Sequence, residues 1–192
     1  MLKKSLLTAA FTVSIGLVSA VQSHQAYGYS EKDLDTLKKT KKCQHCNLYN
    51  ADLSNVDLSN ADLRDASLYG ANLSGSRLIN TNFKGAILIT ANLSNTNMGG
   101  DPDQLGIANF TSANLHAANL TGANMPGAIL RGANLNMADF ENANLSDADF
   151  TGADLSRANL SGAKVEGANF SQVKGLSEKQ KKTLKKGGAK VP

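Results

Sequence analysis

The chain has 192 residues, which suits one domain with appendages, and a formal net charge of +4. Aromatic residues make up only 5% and Trp is absent, so the composition excludes a globular aromatic core and favours a column of small and aliphatic side chains. The charge is divided: between 48 and 170 there are 12 acidic and 6 basic residues, a net of −6, whereas from 172 onward seven lysines and one glutamate give +6.

Residues 1–28 have the pattern of a secretory signal peptide. Lys3 and Lys4 precede an apolar stretch of 15 residues that ends at Ala20. Small residues allow cleavage after Ala20, Ala26 or Gly28. The alternative is an uncleaved membrane anchor, but the stretch is short for a span of about 20 residues. We therefore predict export and an extracytoplasmic mature protein.

Residues 29–45 are predicted to form an N-terminal helical cap. Ser30 is a suitable N-cap, acidic residues follow it, and lysines lie near the expected end, an order that favours the helix dipole. Leu34 and Leu37 provide a thin apolar face that could cover the first open coil of a solenoid. The alternative is a solvated linker.

Cys43 and Cys46 are the only cysteines and form a CxxC pair. After export, a structural disulfide between them is the leading interpretation. A redox-active pair is a second, although no thioredoxin-like βαβ pattern accompanies it. Metal binding is a third: His45 lies between the cysteines, but no second CxxC or paired His completes a tetrahedral set.

Residues 46–173 repeat every five residues. The unit reads Ala, Asp or Asn, Leu or Phe, a small polar residue, then Gly or Asn, as in 71–75. A helix has a period of 3.6 and a strand a period of 2, so a period of five matches neither. A backbone that turns alike every five residues must coil, which predicts a solenoid. We call the large apolar residue of each pentad its central residue.

This repeat resembles the pentapeptide-repeat family, whose consensus A(D/N)LXX it matches almost unit for unit. The resemblance implies an all-β fold, a right-handed quadrilateral β-helix with four pentads per coil, to which the sequence adds short α-helical caps at both ends. It also implies that the Ala and the central residue point inward. Tyr49 and Tyr69 occupy the same slot twenty positions apart, in agreement with twenty residues per coil.

The repeat is interrupted at 99–107, where we predict an irregular loop. Central residues jump from Met98 to Phe110, twelve positions where two pentads need ten. We therefore expect two extra residues to bulge from one rung, and Leu105 could still fill the core. The loop is either a tolerated insertion or a binding loop.

Residues 174–192 are predicted to be a C-terminal helical cap and tail. Ser177 and Gln180 resemble a capping box at the start of a helix that ends at Lys186, and 189–192 is expected to be loose. The lysines are either a solvated helix face or a contact for an anionic membrane surface or an acidic protein.

One face is predicted to carry an interaction strip of Tyr49, Tyr69, Ile87 and Ile89. These residues flank central residues at slots that are normally polar, and Ile129 is expected on the same face. A contiguous exposed apolar patch on a soluble protein often marks a partner contact. The alternative is that neighbouring rungs or the N-terminal helix cover these side chains.

No enzyme constellation is evident: there is no catalytic triad, no phosphate-binding loop and no metal-ligand cluster, so no catalytic, cofactor or metal site is expected. The leading hypothesis is a non-enzymatic structural or protein-interaction module that is a monomer or self-associates weakly, with an unidentified protein partner. Alternatives are a redox-responsive protein using Cys43 and Cys46 and, as the resemblance implies, a DNA-mimicking inhibitor of a nucleic-acid enzyme. Export and the six basic residues on the repeats disfavour mimicry, so no nucleic-acid partner is expected.

The resemblance makes the thylakoid lumen or periplasm the expected compartment.

Overall fold

The computed structural model describes residues 28–99 and 106–192. The predicted signal peptide and Leu105 lie outside these residues. Helix α1 spans Glu31–Thr40 and helix α2 spans Glu178–Lys186. Between them the backbone forms a solenoid of parallel one-residue β-bridges, not continuous strands. The bridges begin at Lys42 and the repeat region ends at Lys174, so the coils extend slightly beyond the predicted 46–173.

Each pentad makes one turn of the coil. The central carbonyl accepts a hydrogen bond from the N–H three residues on, as from Ala51 N to Leu48 O at 3.0 Å. Wherever the structure describes it, the second residue after a central position has a positive φ, for example 54° at Asn50, which is the backbone that a type II turn requires. Asn, Asp and Gly recur at this position because they tolerate it best.

The Asp or Asn before each central residue also has a structural role. Its side-chain oxygen accepts a hydrogen bond from the backbone N–H two residues on, as from Ser54 N to Asp52 Oδ1 at 3.1 Å and from Thr111 N to Asn109 Oδ1 at 2.9 Å. This local bond stabilises the turn in every coil where it forms. It explains why Asp and Asn predominate at this slot.

The turns produce four faces, since bridges join residues twenty apart and each coil therefore contains four pentads. Face 1 has its central residues at Cys43, Leu63, Phe83, Phe110, Leu130, Phe150 and Phe170. Face 2 has them at Leu48, Leu68, Leu88, Leu115, Leu135 and Leu155. Face 3 has them at Leu53, Leu73, Leu93, Leu120, Phe140 and Leu160. Face 4 has them at Leu58, Leu78, Met98, Met125, Leu145 and Val165.

The register across the interruption differs from the expectation. Asn82 pairs with Asn109 and Ile87 pairs with Asn114, so the spacing there is 27 residues and not 22. The interruption thus adds seven residues to a coil of twenty, and one pentad step separates Met98 from Phe110. The prediction of two extra residues was wrong. The twelve positions from Met98 to Phe110 can be divided as two pentads plus two extra residues or as one pentad plus seven. The structure has the second division, so the chain advances by one face across the interruption and not by two.

Helix α1 covers the first coil. Ser30 caps it by accepting from Asp33 N at 3.2 Å, and Leu34 and Leu37 are buried against the core. The backbone N–H of Ser30 donates to Asn47 O at 2.8 Å. The helix therefore shields apolar residues and part of the backbone edge that a terminal coil would otherwise expose.

The C-terminal end is closed by α2 and the segment after it. Ser177 and Gln180 form a capping box, and Leu184 is buried. The expected loose tail is wrong for this segment: Lys190 forms a bridge with Asn169, and Ala189 is buried. The tail pairs because it supplies the next rung of face 1.

Candidate protein-interaction surface

The strip, defined as Tyr49, Tyr69, Ile87 and Ile89, lies on face 2. Bridges from Asn47 to Ser67 and from Ser67 to Ile87 place its members on three consecutive coils. The backbone N–H of Leu68 donates to Ile87 O at 2.8 Å, and that of Gly70 donates to Ile89 O at 2.9 Å. Because consecutive coils are in register, the four side chains lie side by side.

The two tyrosines of the strip stack on one another. Their ring centroids are 5.1 Å apart and the ring planes differ by 6°. The missing side chain of Gly70 helps to make this arrangement, since a Cβ there would lie 2.1 Å from Asn50 Oδ1. The stacking restrains both rings before any partner is met, which lowers the entropy lost on binding.

The strip remains accessible to solvent. Tyr69 is 38% exposed and Ile87 is 42% exposed, whereas Tyr49 and Ile89 are half-buried. Tyr49 lies next to the segment that leads into α1, where Asn47 Nδ2 donates to Gly28 O at 3.0 Å. Among the described residues, neighbouring rungs and the N-terminal segment thus cover the strip only in part.

Face 2 is also uncharged over most of its length. Between 47 and 137, its outward and corner positions hold no Asp, Glu, Lys or Arg in the described residues; charges first occur at Asp154 and Arg157. The corner between faces 1 and 2 carries Arg64, Asp65 and Lys84, but the strip's own positions are uncharged, as is typical of the centre of a protein interface, where charged residues are depleted.

The other faces carry the charges of the repeats. On face 1, Arg64 bonds Asp62 through its Nη2 at 2.7 Å, and Arg131 Nε lies 2.5 Å from Asp149 Oδ2. The hydrogen bond from the Arg64 side chain holds the pKa of Asp62 at about 2, below its ordinary value of 3.8. These pairs neutralise part of the acidic charge and leave no continuous acidic row on face 1.

The register corrects the membership of face 2. Ile129 pairs with Asn109 and therefore belongs to face 1, so its expected place beside the strip was wrong. His116 instead continues the strip, because its carbonyl accepts from Thr90 N at 2.9 Å. The pentad pattern alone does not place His116 beside the strip; only the length of the interruption, which the bridge register fixes at one pentad plus seven residues, does so.

Cys43 and Cys46 lie at the junction of α1 and the first coil. They occupy the central and inward small positions of the pattern, and the structure joins them by a disulfide with Cα atoms 5.2 Å apart. Cys43 is 2% exposed and Cys46 7%. The Cys43 sulfur also touches the carbonyl oxygen of Asp33 at 3.2 Å, so α1 packs directly on the pair.

The described residues contain no group of three or more His, Cys, Asp or Glu side chains arranged to hold a metal ion. His45, between the cysteines, is an exposed turn residue with a φ of 56°. Within the same part of the chain, neither helix is long and apolar enough to cross a bilayer.

The family model for pentapeptide repeats matches this chain in eight copies, over 42–78, 66–100, 108–147 and 133–172. The chain belongs to the pentapeptide repeat family, which confirms the resemblance. A comparison with curated protein sequences finds no match.

Solved structures of the same kind are also similar. One is HetL, a pentapeptide repeat protein involved in heterocyst differentiation regulation from the cyanobacterium Nostoc sp. strain PCC 7120, at 31% identity, covering 69% of each chain, with a TM-score of 0.36. Another is a pentapeptide repeat protein from the Arabidopsis thaliana thylakoid lumen, at 29% identity, covering 72% of this chain and 81% of that one, with a TM-score of 0.24. A third is QnrB1, a plasmid-mediated fluoroquinolone resistance protein, at 25% identity, covering 82% and 75%, with a TM-score of 0.34.

Proposed function

We propose that this protein is a non-enzymatic interaction module of an extracytoplasmic compartment, the thylakoid lumen or periplasm. It is a rigid, right-handed, quadrilateral β-helical rod that presents the strip on face 2 to a protein partner. The observation that carries the proposal is the strip itself: two stacked tyrosines and two isoleucines, partly exposed, on a face whose own positions carry no charge between 47 and 137.

The strip has the physical properties of an anchor for a partner. Tyrosine is enriched at the energetic centres of interfaces because one ring buries apolar area and keeps a polar end. The coil backbone fixes the positions of all four side chains through bonds such as Leu68 N to Ile87 O at 2.8 Å. A partner therefore gains apolar burial without ordering a loop.

The charge arrangement favours this function over DNA mimicry. A mimic needs acidic groups at regular spacing along one face, as in a phosphate backbone. Face 2 lacks carboxylates up to Asp154, and the Asp62 and Asp149 carboxylates of face 1 are paired with arginines. The repeats thus present no regular acidic row on these faces.

Export and the disulfide belong to the same proposal. The signal-like pattern of 1–28 supports export, and an oxidising compartment is where a disulfide between Cys43 and Cys46 forms and persists. The burial of both sulfurs under α1 argues for a structural role and against rapid thiol exchange.

Partner capture from the native compartment tests the proposal. Tyr69→Ser together with Ile89→Ser removes the exposed centre of the strip, and we expect recovery of the specific partner to fall by about tenfold or more. Ile107→Ser is the matched control, because Ile107 is an exposed apolar residue of similar exposure, 37%, outside face 2.

Two outcomes would contradict the proposal. Capture of the same proteins at equal yield by the double variant and the unchanged protein would remove the strip as the binding site. Recovery of the protein from the cytoplasm with its first residues intact would remove the proposed compartment. Circular dichroism of each variant shows whether the fold is retained.

A further inference from the structure

The C-terminal end of the solenoid is closed by backbone pairing on face 1 and only in part on faces 2 and 4, where the N–H groups of Arg157 and Val165 have no backbone acceptor among the described residues. On face 1, Lys190 pairs with Asn169, and on face 2, Lys174 pairs with Asp154. On face 4, Gly167 N donates to Gly188 O at 3.1 Å. The segment after α2 thus replaces the next coil on face 1 and at one corner of face 4, whereas face 2 ends with the last regular rung at Lys174.

Face 3 has no backbone replacement; α2 meets this edge through Gln180, whose Nε2 donates to Ala158 O at 3.2 Å and occupies that acceptor. One coil earlier, Phe140 N donates to Asn159 O at 2.8 Å and Asn142 N donates to Ser161 O at 2.9 Å. The equivalent donors of the last coil, the N–H groups of Leu160 and Gly162, have no acceptor within the described residues. An edge with unpaired backbone groups is a template for an added strand.

A groove of about 290 Å³ runs along this edge, between the last coil and α2. Leu160 and Ser161 form one wall, and Lys179, Thr183 and Leu184 form the other. Leu160 is the one described central residue that is only half-buried, because no coil covers it. The groove therefore offers an apolar floor and the backbone donor of Leu160, and the second donor, Gly162, directly follows the lining residue Ser161.

The groove is also on the basic side of the molecule. Lys179 lines it, and Lys186, seven residues on, lies along the same side of α2. No carboxylate lines it: Glu178 is paired with Lys181 at 2.8 Å, and Asp139, one coil away, accepts from Asn159 Nδ2 at 2.9 Å. The local charge therefore favours an acidic occupant.

We propose that this groove binds an extended, acidic segment of a partner protein by strand addition. Two backbone carbonyls of the segment accept hydrogen bonds from the N–H groups of Leu160 and Gly162. An acidic side chain of the segment meets Lys179, and an apolar one packs on Leu160. This site is on another face from the strip and stands independently of it. Strand addition combines main-chain hydrogen bonds for affinity with side-chain contacts for specificity.

A synthetic peptide with the sequence of 136–144 of this chain is a suitable probe. It contains the face 3 pentad that precedes the open edge, with Asp139 and Glu141 as its acidic residues. Added to the full chain, it should slow amide exchange at Leu160 and Gly162 in residue-resolved NMR. A control peptide with Asn for Asp139 and Gln for Glu141 should bind about fivefold more weakly, measured by fluorescence anisotropy.

Three protein variants locate the binding. Lys179→Glu, at the second position of α2 where an acidic residue favours the helix dipole, should weaken binding of the acidic peptide by about fivefold or more. Lys185→Glu makes the same charge change on the opposite side of α2 and should change affinity by less than about twofold. Thr183→Trp should fill the groove and abolish binding, while melting curves show that α2 is retained.

Three results would overturn the proposal. The first is unchanged exchange at Leu160 and Gly162 in saturating peptide. The second is protection of both amides before any peptide is added, which would show that residues 1–27 or another part of the chain already occupies the edge. The third is a dimer that Thr183→Trp converts to a monomer in sedimentation, which would identify a second copy as the occupant.

Discussion

Phe83 and Phe110 are 27 positions apart in the chain, yet their rings stack with centroids 4.8 Å apart and planes 7° apart. They are consecutive rungs of face 1, and Phe83 N donates to Asn109 O at 2.7 Å. The stack therefore fixes the register across the interruption, and seven residues lie outside the regular coil.

The first prediction is that these seven residues can be removed. Deletion of 100–106 brings Gly99 and residue 107 into the two turn positions between Met98 and Ala108, which restores an unbroken pentad frame. Ile107→Gly should accompany the deletion, because residue 107 then needs a positive φ that a β-branched residue disfavours. We expect the β-helix to be retained and the melting temperature to change by less than about 4 °C.

Deletion of 112–118 is the matched control. It removes the same number of residues from regular coils and shifts the frame by two, so central residues such as Leu120 fall at the small inward positions and turn residues such as Gly122 fall at central positions. Its melting temperature should drop far more than that of the first deletion. Equal loss in the two variants would contradict the register that Phe83 and Phe110 define.

The inward columns could be predicted from the sequence because burial repeats with the pentad: Leu48, Leu53 and Leu58 are all fully buried. The number of residues that the interruption adds to the coil could not be predicted from the sequence. One pentad plus seven residues and two pentads plus two residues both resume the inward pattern at Phe110, and they differ only in which face follows. That difference moved Ile129 away from the strip and His116 next to it.

The open edge of face 3 was also beyond sequence analysis. The capping box of Ser177 and Gln180 could be read locally, since its signals are within three residues. Nothing local indicates that Lys190 pairs with Asn169, because this contact depends on where α2 directs the chain. Which terminal edges stay unpaired is thus a tertiary property.

The second prediction concerns the disulfide. Replacing Cys43 and Cys46 by Ala, or reducing the bond, should speed amide exchange in α1 and the first coil. The closed loop is small, so the loss from chain entropy is about 2 kcal/mol in the entropic model. The effect should be local, because the pair packs against Asp33 at one end of the solenoid.

Hydrogen exchange with mass spectrometry of oxidised and reduced protein provides the measurement. Peptides around Leu120 and Leu145, several coils away, are the internal control. A uniform rise in exchange along all coils would argue against a local staple.

The third prediction follows from the pairing of Asp62 with Arg64. Since the folded pKa of Asp62 is about 2 and its ordinary value is 3.8, the ionised carboxylate stabilises the folded state. This contribution is fully present above about pH 4 to 5 and is lost as the pH falls towards the folded pKa. The Arg64 side chain is exposed and that of Asp62 is 26% accessible, so solvent screening should keep the contribution below about 1 kcal/mol.

Urea unfolding of the unchanged protein and of Asp62→Asn measures this contribution. The unchanged protein should be the more stable at pH 7, and the gap should narrow steadily between about pH 4 and about pH 2. A gap that stays constant over this interval would show that the ionisation of Asp62 is not involved.

The last prediction tests whether the strip is ordered before a partner binds. Tyr49 and Tyr69 stack with their planes 6° apart, and offset aromatic pairs contribute about 0.5–1.5 kcal/mol beyond their buried area. A double-mutant cycle of Tyr49→Leu and Tyr69→Leu in urea unfolding should give a coupling energy in this range. Tyr49→Leu combined with Ile89→Ala is the control, because these residues are two coils apart and should couple by less than about 0.5 kcal/mol. If both cycles give the same small coupling, the rings do not restrain one another in solution. The side chains of the strip would then lose conformational entropy when a partner binds. The proposed function, which relies on a strip that is already ordered, would lose this support.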